Sequence, residues 1–420
     1  TLIESPNIKT VGVGESTIVQ FRQWLSLVRI KDEDFMKETD SSYKFTIRFT
    51  NFNKINSGIV DYPFGHPESI DDNKLNLWFF KKLIKPETQL TDYVDCYYPI
   101  MPLVNNNKVY KGNGLGNFNF HRDIAFHFDA TKFALWLRDN ICLPNIKHIK
   151  SNVKDIKIND DGIESLSLEN GDVITGDLFI DCTGFKSMLL GGALEEEFIP
   201  YSHILPNNKA WATHVEYTDK EKQLVGITNA TALKNGWVWN IPLWSKIGTG
   251  YVYSDKYTTD EEALVEFKNH LKKQKFDITH HEFTNIKMKV GIHKRLFVKN
   301  VVAIGLSAGF IEPLESNGLY TVHEFLSYLM RMFERDNISQ WDRDTFNYTC
   351  KTTFNNFAEF VALHYALGER DDTPYWKDNL NRNYDKDIDD LYITISHGFR
   401  QHIINKMYNF RYKGDGIECI

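Results

Sequence analysis

Two kinds of residue in this sequence could do chemistry by their type and spacing. Lys44 lies in residues 43–49, where apolar and polar side chains alternate, and Glu312 and Glu315 lie in residues 304–318, just before a segment with helical spacing. An ammonium on a flexible stem can hold an electrophile at a fixed position in a cavity. A carboxylate near a helix N-terminus stays ionised and can accept a proton. The competing interpretations are a solvated lysine on a polar strand face and ordinary acids of a first helical turn.

The loop in residues 304–318 also suits an anion. A strand ends at Gly305, small residues follow, and a helix begins near Gly318. Unpaired backbone N–H groups and the positive end of the helix dipole favour anions at such a place. The alternative is a plain helix start with Ser316 or Asn317 as its cap.

Three strand-like segments must position these residues. Residues 2–4 end in the acid Glu4, and residues 177–185 and 301–305 each run into a glycine turn. This pattern predicts an open α/β sheet that binds ligands at its strand ends. In dinucleotide-binding folds an acid at the end of the second strand binds a ribose, so Glu4 predicts a first strand, a glycine turn and a helix before Thr1. The simpler interpretation of Glu4 is a surface acid.

Periodicity predicts the remaining elements. Residues 43–49 alternate as a strand, with Lys44 on its polar face, and residues 130–138 form a helix capped by Asp129. Residues 156–168 resemble a hairpin that turns at residues 159–162. A helix is expected over residues 317–331, and the chain is mostly helical from there to about residue 366.

Composition excludes several classes of protein. The 420 residues include 42% apolar and 25% charged residues, and the net charge is −7, so neither disorder nor an electrostatic footprint for nucleic acid is indicated. Five scattered cysteines without a CxxC pattern predict neither a disulfide framework nor a metal site, and they suggest a cytoplasmic protein. The longest apolar-rich run, residues 301–311, is too short to span a membrane.

Three segments together resemble flavin-dependent halogenases of the tryptophan-halogenase family. They are residues 11–18 (VGVGESTI), residues 236–242 (GWVWNIP) and residues 304–318 (IGLSAGFIEPLESNG). The resemblance extends to Tyr43-Lys44, residues 177–184, Lys294-Arg295 and residues 370–376, so it spans nearly the whole chain. The GWxWxIP pattern is the most specific of these. The composition, rich in Asn, Lys and Ile, is compatible with a phage-encoded member.

The resemblance implies the fold of FAD-dependent hydroxylases, with a Rossmann-type FAD module, a substrate layer and a C-terminal helical region. The FAD module would be discontinuous, at residues 1–55, 120–190 and 285–330. Residues 56–119 and 191–284 would build the substrate and halogenation layer, and residues 331–420 the mainly helical region.

The resemblance also implies a reaction. Reduced FAD, supplied by a separate reductase, reacts with O₂ to a flavin hydroperoxide that oxidises a halide ion (chloride, bromide or iodide). Lys44 and Glu315 then direct halogenation of a small electron-rich aromatic of indole or phenol type. Glu312 competes with Glu315 as the base. Alternatives are a flavin-dependent monooxygenase on the same fold, which would not need Lys44, and a flavin-binding protein without activity.

The family's functional positions map onto this sequence residue by residue. Halide would bind at Asn317 and Gly318, although the family usually has Thr where Asn317 stands. Tyr62, Phe64, Trp237 and Trp239 would lie on the substrate side. The positions implied for FAD are Glu4, Gly14, Glu15, Ser16, Val153, Asp181, Gly184, Leu306 and Leu319.

Two departures from the family concern the substrate. Tyr62 stands where tryptophan halogenases usually have His. The family's cluster for the amino-acid group has no clear match among Tyr408, Phe410 and Tyr412. We therefore expect a substrate other than free tryptophan. The oligomeric state is left open, with a homo-oligomer as one alternative.

Overall fold

The computed structural model describes residues 1–8, 14–68, 78, 80–89, 91–335, 337–384 and 388. It is a mixed α/β protein with one seven-stranded sheet and several sheets of two or three strands. Residues 11–13 of the first motif, and Tyr408, Phe410 and Tyr412, lie outside the described residues.

The strands are numbered here in chain order. They are β1 Leu2–Glu4, β2 Glu15–Ser16, β3 Ser42–Lys44, β4 Thr46–Thr50, β5 Ile59–Pro63, β6 Ala125–Phe128, β7 His148–Lys150, β8 Val153–Asn159, β9 Gly162–Leu168, β10 Val173–Ile174, β11 Phe179–Asp181, β12 Phe198–Pro200, β13 Lys209–Val215, β14 Ile227–Ala232, β15 Gly236–Pro242, β16 Ile247–Tyr253, β17 Thr284–Lys287, β18 Gly291–His293, β19 Phe297–Val298, β20 Val301–Ala303 and β21 Gly309–Phe310. The α-helices are Val19–Leu27, Asp32–Phe35, Thr91–Tyr97, Met101–Asn106, Ala130–Leu137, Lys220–Gln223, Asp260–Lys273, Gly318–Met332, Gln340–Ala366 and Pro374–Leu380.

The three predicted strands lie in two separate sheets, and each of them makes a parallel pair. β1 pairs with β7, and β11 pairs with β20, which also pairs with β19. The expected strands at residues 177–185 and 301–305 are both present, but each has only three residues, and Ile180 is 45% exposed. The hairpin of β8 and β9 confirms the predicted turn at residues 159–162.

A seven-stranded sheet forms the largest layer, in the order β17-β13-β16-β15-β14-β4-β5. Its central strand β15 carries the GWVWNIP motif, and every residue of β16 beside it is buried. β14 runs parallel to β4, and the other neighbours run antiparallel. Near-continuous burial explains why this region lacks a simple alternation of apolar and polar residues.

A separate three-stranded sheet has the order β2-β6-β3. The expected strand over residues 43–49 is therefore two strands. β3 belongs to this small sheet and β4 to the large one, and the backbone N–H of Phe45 between them donates to the Gly226 carbonyl. Another three-stranded sheet has the order β12-β18-β21.

The helices agree with the expected boundaries to within a residue or two. Asp129 caps Ala130–Leu137 by accepting a hydrogen bond from the Lys132 backbone, as predicted. Helix Gly318–Met332 follows the small-residue loop, and the long helix Gln340–Ala366 packs against it. The C-terminal half of the long helix is mostly buried, so it forms part of the core.

Candidate active site

Lys44 is completely buried at the end of β3. Its Nζ donates to the Thr17 carbonyl (2.8 Å) and to Oγ of Ser316 (2.9 Å), and it lies 5.0 Å from the centre of the Phe64 ring. The polar face predicted for this strand is therefore internal, because Thr46 is also fully buried. The interpretation of Lys44 as a solvated lysine is wrong.

Burial changes the ionisation of Lys44 and of its neighbour Glu15. It lowers the pKa of Lys44 to about 7, and the nearby carboxylates of Glu315 and Glu15 oppose that decrease. Burial also raises the pKa of Glu15 to about 7, against the opposing effect of the Lys44 ammonium. An amine whose pKa lies near neutral can lose its proton during a reaction, which an ordinary lysine rarely does.

Glu315 ends a 3₁₀ turn, Pro313–Glu315, and its side chain is buried. Its Oε1 lies 2.7 Å from Nε2 of His364, on the long helix. The His364 ring packs 4.6 Å from the ring of Phe49, and its Nδ1 lies 3.2 Å from the Val361 carbonyl. The His364 ring is thus fixed by Phe49 and Val361 within contact distance of the carboxylate. Sequence reasoning missed His364, because no local spacing links it to the loop.

Glu312 faces a different group of side chains. Asn207 donates to its Oε2 at 2.5 Å and lies 3.0 Å from the hydroxyl of Tyr365, and Tyr375 donates to Asn207. Burial raises the pKa of Glu312 to about 7, although Asn207, Tyr365 and Trp237 oppose the rise. The carboxylates that act on the Lys44 charge are those of Glu315 and Glu15. The geometry therefore favours Glu315 over Glu312 as the partner of Lys44.

Glu312→Gln is expected to flatten the pH dependence of the free energy of unfolding between about pH 4.5 and 7. Folding raises the pKa of this carboxyl from 4.5 to about 7, so the folded protein binds the extra proton in that interval and loses stability as the pH rises. A neutral amide lacks this titration, which is worth roughly 3 kcal/mol. Urea unfolding of both proteins across the interval measures the difference. The exposed acid Glu221, changed to Gln, is the control, and an unchanged slope in Glu312→Gln would contradict the assignment.

The loop before helix Gly318–Met332 is held in an unusual conformation. Ser316 has φ of +58° and its hydroxyl accepts from Lys44, so it is not available as a helix cap. Asn317 occupies the N-cap position, but its side chain makes no capping bond, and its buried Oδ1 has no hydrogen-bond partner. The first turn carries no acidic residue. A helix start without a side-chain cap fits the halide position predicted at Asn317 and Gly318.

On the implied adenosine side, pairing of β1 with β7 brings Glu4 to the start of β8, which begins at Val153. The Ser151 backbone donates to the Glu4 carbonyl. The Glu4 carboxylate lies 2.9 Å from Nε2 of His148 and 3.6 Å from Nη1 of Arg138, and it is 41% exposed. Glu4 and Val153 therefore lie at one strand end, and the carboxylate retains a solvent-facing side.

On the implied ring side, the turns after β11 and β20 meet. Four donors, from Thr183, Leu189 and Leu190, saturate the Asp181 carboxylate, so Asp181 orders the turn rather than offering a free acceptor. Gly184 has φ of +70°, and no atom lies within 4 Å of the place where its Cβ would be. Leu306 in the facing turn is partly exposed. Open space beside a bare backbone, next to an exposed apolar side chain, fits the flat ring of a flavin.

The other predicted flavin residues lie against the loop in residues 304–318, which we call the halide loop because the halide is predicted to bind there. Glu15 and Ser16 form β2, and Oε1 of Glu15 lies 3.5 Å from the place where a Cβ on Gly318 would be. Gly14 before them has φ of +90°. Leu319 in the first turn of the helix is half-buried against the cluster of aromatic residues around Phe21. The structure therefore brings the Gly14–Ser16 loop and the halide loop together.

The predicted substrate-side residues are all buried. Tyr62 packs against Phe360 of the long helix, with ring centres 6.1 Å apart. Phe64 lies beside Lys44. Trp239 lies flat against Gly250, where a Cβ would come within 2.1 Å of its ring. Trp237 approaches Glu312. The side chains of Trp237 and Trp239 therefore have a packing role in the large sheet.

Over the described residues, no cluster of three or more His, Cys, Asp or Glu side chains could hold a metal ion. Nor does any helix in that part of the chain have the length and apolar character needed to cross a bilayer.

Comparisons with known proteins agree with this geometry. The family model described as tryptophan halogenase matches residues 1–407. Tryptophan 6-halogenase ThaL of Streptomyces albogriseolus is 30% identical over 413 residues, which cover 94% of this chain and 76% of ThaL. Tryptophan 7-halogenase RebH of Lentzea aerocolonigenes is 32% identical over 397 residues, covering 90% and 73% respectively.

Solved structures are similar as well. The apo structure of VirX1 has a TM-score of 0.86 and 40% identity, over 90% of this chain and 74% of VirX1. Tryptophan 6-halogenase SttH of Streptomyces toxytricini has a TM-score of 0.83 and 30% identity, over 93% and 77%. These matches confirm the predicted fold class, a Rossmann-type FAD-binding fold, and do not favour the monooxygenase alternative. The chain belongs to the tryptophan-halogenase family and is a flavin-dependent halogenase.

Proposed function

We propose that this enzyme halogenates an electron-rich ring of indole or phenol type, with Lys44 and Glu315 as its catalytic residues. The observation that carries the proposal is the buried Lys44 ammonium, held by Thr17 and Ser316 within the electrostatic reach of Glu315. Burial of a cation costs free energy, since desolvation disfavours the charged form. A buried ammonium at this position therefore indicates a function.

Bound reduced FAD, together with O₂, supplies the oxidising equivalents that turn halide into hypohalous acid. The chain's part begins with the uncapped helix start at Asn317 and Gly318, which would hold the halide ion. The neutral Lys44 amine takes the halogen from hypohalous acid and releases water. The ring then attacks that halogen, the nitrogen–halogen bond breaks, and its electron pair returns to Nζ. Glu315, which lies beside His364, accepts the proton that the ring loses and passes it to Nζ, which becomes the neutral amine again.

The proposed flavin site combines residues near the end of β1 with residues in the turns after β11 and β20. Glu4 and Val153 would hold the adenosine part, and Gly14, Glu15 and Ser16 would cross the ring, near Leu306 and Leu319. Asp181 would act indirectly, by ordering the turn at Gly184. A separate flavin reductase would supply the reduced cofactor. The resemblance to the family implies that the first segment of the FAD module ends at residue 55; we further propose that it ends near residue 45, because β3 and β4 belong to different sheets.

Free tryptophan is expected to be a poor substrate compared with simple indoles or phenols. Around Lys44, the described side chains on the substrate side are aromatic, and Glu315 and His364 already contact each other at 2.7 Å. Selection by apolar fit gives shallow discrimination, roughly tenfold to a few hundredfold between related rings. Competition between tryptophan and a panel of aromatics, with FAD, a reductase, NADH and each halide, measures this by product mass.

The same assay tests the proposed function as a whole. Product mass must follow the halide supplied, and no product should form without halide. Oxygenated product in the absence of halide would instead support monooxygenation. A clear preference for free tryptophan, with one regioisomer, would contradict the substrate prediction but not the halogenase assignment.

A further inference from the structure

A continuous row of hydrogen-bonding side chains leads from Lys44 into the protein interior. Lys44 Nζ donates to Ser316 Oγ at 2.9 Å, and Ser316 Oγ donates to Ser16 Oγ at 3.1 Å. Ser16 Oγ lies 2.6 Å from Thr228 Oγ1, which lies 2.7 Å from Nε2 of His127. All five side chains are buried. We call these residues, Lys44 to His127, the hydroxyl row.

The hydroxyl row is assembled from distant parts of the chain. Ser16 is on β2, His127 on β6 and Thr228 on β14 of the large sheet, and Ser316 is in the halide loop. Within the small sheet, Ser16 pairs directly with His127. Buried polar groups are costly unless they bond to one another, so the fold holds this row as a unit. The reaction proposed above assigns no function to Thr228 or His127.

The second nitrogen of His127 fixes the direction of the row. Its Nδ1 lies 3.3 Å from Ser42 Oγ, and Ser42 Oγ donates its only proton to the Pro242 carbonyl at 2.6 Å. Ser42 can then only accept, so Nδ1 carries the proton of the neutral ring and Nε2 has a free lone pair. Burial and the Lys44 charge lower the pKa of His127 well below its usual range, so the ring is neutral.

A bare Nε2 orients every hydroxyl proton toward His127. Thr228 donates to Nε2, Ser16 donates to Thr228, Ser316 donates to Ser16, and Lys44 donates to Ser316. A row of donors that all point one way is the arrangement in which a proton can be passed along by successive short transfers.

We propose that Ser316, Ser16 and Thr228 carry one proton from the Lys44 ammonium to Nε2 of His127 before the amine takes the halogen. The proposal rests on the proposed role of Lys44. One N–H bond breaks at Nζ, each hydroxyl gains a proton on one side and gives its own on the other, and one N–H bond forms at Nε2. No electrons are exchanged.

Burial continues to disfavour the protonated His127 ring, but the transfer removes the Lys44 charge, the other of the two causes that lower the His127 pKa. The single positive charge moves from Lys44 to His127, so the two cations never coexist. Glu315 and Glu15 are the charged groups that act on Lys44, and Lys44 is the one that acts on His127. The reverse transfer restores the ammonium after the halogen has left. His127 is therefore a positioning residue that acts through the row.

Thr228→Val removes one hydroxyl from the row without changing the shape of the side chain, and His127→Gln keeps a hydrogen bond but cannot hold the proton. Each is expected to slow halogenation about tenfold or more relative to wild type near pH 6, because Lys44 has to lose its proton by another route. Near pH 9, where Lys44 is already neutral, the deficit should shrink to about twofold or less. The double variant should be no slower than the slower single variant.

Thr231→Val is the matched control, because Thr231 is a buried hydroxyl on the same strand and outside the row. It should stay within about twofold of wild type at both pH values. A deficit in Thr228→Val that is equal at both pH values would overturn the proposal in favour of a structural role, and so would wild-type rates throughout. Lys44→Ala is run alongside. If it still forms product, the proposed function fails; if it forms none while the row variants behave as wild type, only the proton path fails.

A second measurement needs no flavin. In protein labelled with ¹⁵N-histidine, the His127 signals, identified by their loss in His127→Gln, should show a protonated Nδ1 and a bare Nε2. The opposite tautomer would reverse the donor order and overturn the proposal.

Discussion

Lys44→Ala is expected to abolish halogenated product while flavin binding and hydrogen peroxide release continue. The Lys44 ammonium is held between the Thr17 carbonyl and the Ser316 hydroxyl. Among the described residues, no other cation contacts these two groups. Without the amine, hypohalous acid has no fixed carrier, so the halogen is no longer presented to the ring at one position. Halogenated product and peroxide are measured in the same reaction, by mass spectrometry and a peroxide assay.

Lys44→Met is the matched control for packing. It keeps the unbranched stem beside Phe64 but has no amine, so it should match Lys44→Ala in activity and be at least as stable as that variant. Product formation by both variants at the wild-type rate would show that Lys44 does not carry the halogen.

Local patterns in the sequence predicted the elements whose stability is local. Helix Ala130–Leu137 begins one residue after its aspartate cap, and the β8–β9 hairpin turns where Asn, Asp and Gly cluster, because caps and tight turns depend on residues a few positions apart. The ends of β11 and β20 followed from the same reasoning, since each runs into a glycine with φ of +70°.

The environment of Lys44 could not be predicted in that way. Alternation over residues 43–49 shows that two faces differ, but it cannot show whether the polar face meets solvent or a second layer. Here β3 and β4 separate at Phe45 and enter different sheets, and the loop that bears Ser316 covers the polar face. The resemblance to a family predicted a catalytic role for Lys44, whereas the residue pattern alone favoured a solvated lysine.

The groups that act on the proposed catalytic residues were missed for a related reason. His364 lies on a helix whose position relative to the loop depends on packing of the whole chain. His127 reaches Lys44 through Thr228, Ser16 and Ser316, which come from three separate segments. Contacts of this kind are fixed by tertiary structure, so single-sequence periodicity carries no signal for them.

Glu315→Gln is expected to slow halogenation about a hundredfold or more, which corresponds to about 2.7 kcal/mol in the activation barrier. Glu315 acts on the Lys44 charge and lies 2.7 Å from His364, so its carboxylate is both close and oriented. The amide has nearly the same shape but cannot accept the ring proton. Rates of the purified variant, normalised to bound flavin, measure the effect.

Glu312→Gln is the matched comparison, because Glu312 is a buried acid three residues earlier in the same loop. Its carboxyl bonds to Asn207 in a separate cluster with Tyr365 and Tyr375, and an amide oxygen can still accept from Asn207. We therefore expect a loss well below that of Glu315→Gln. The reverse ranking, with both variants folded and flavin-bound, would move the role of base to Glu312, and His364 would then orient a carboxylate that takes no part in the proton transfer.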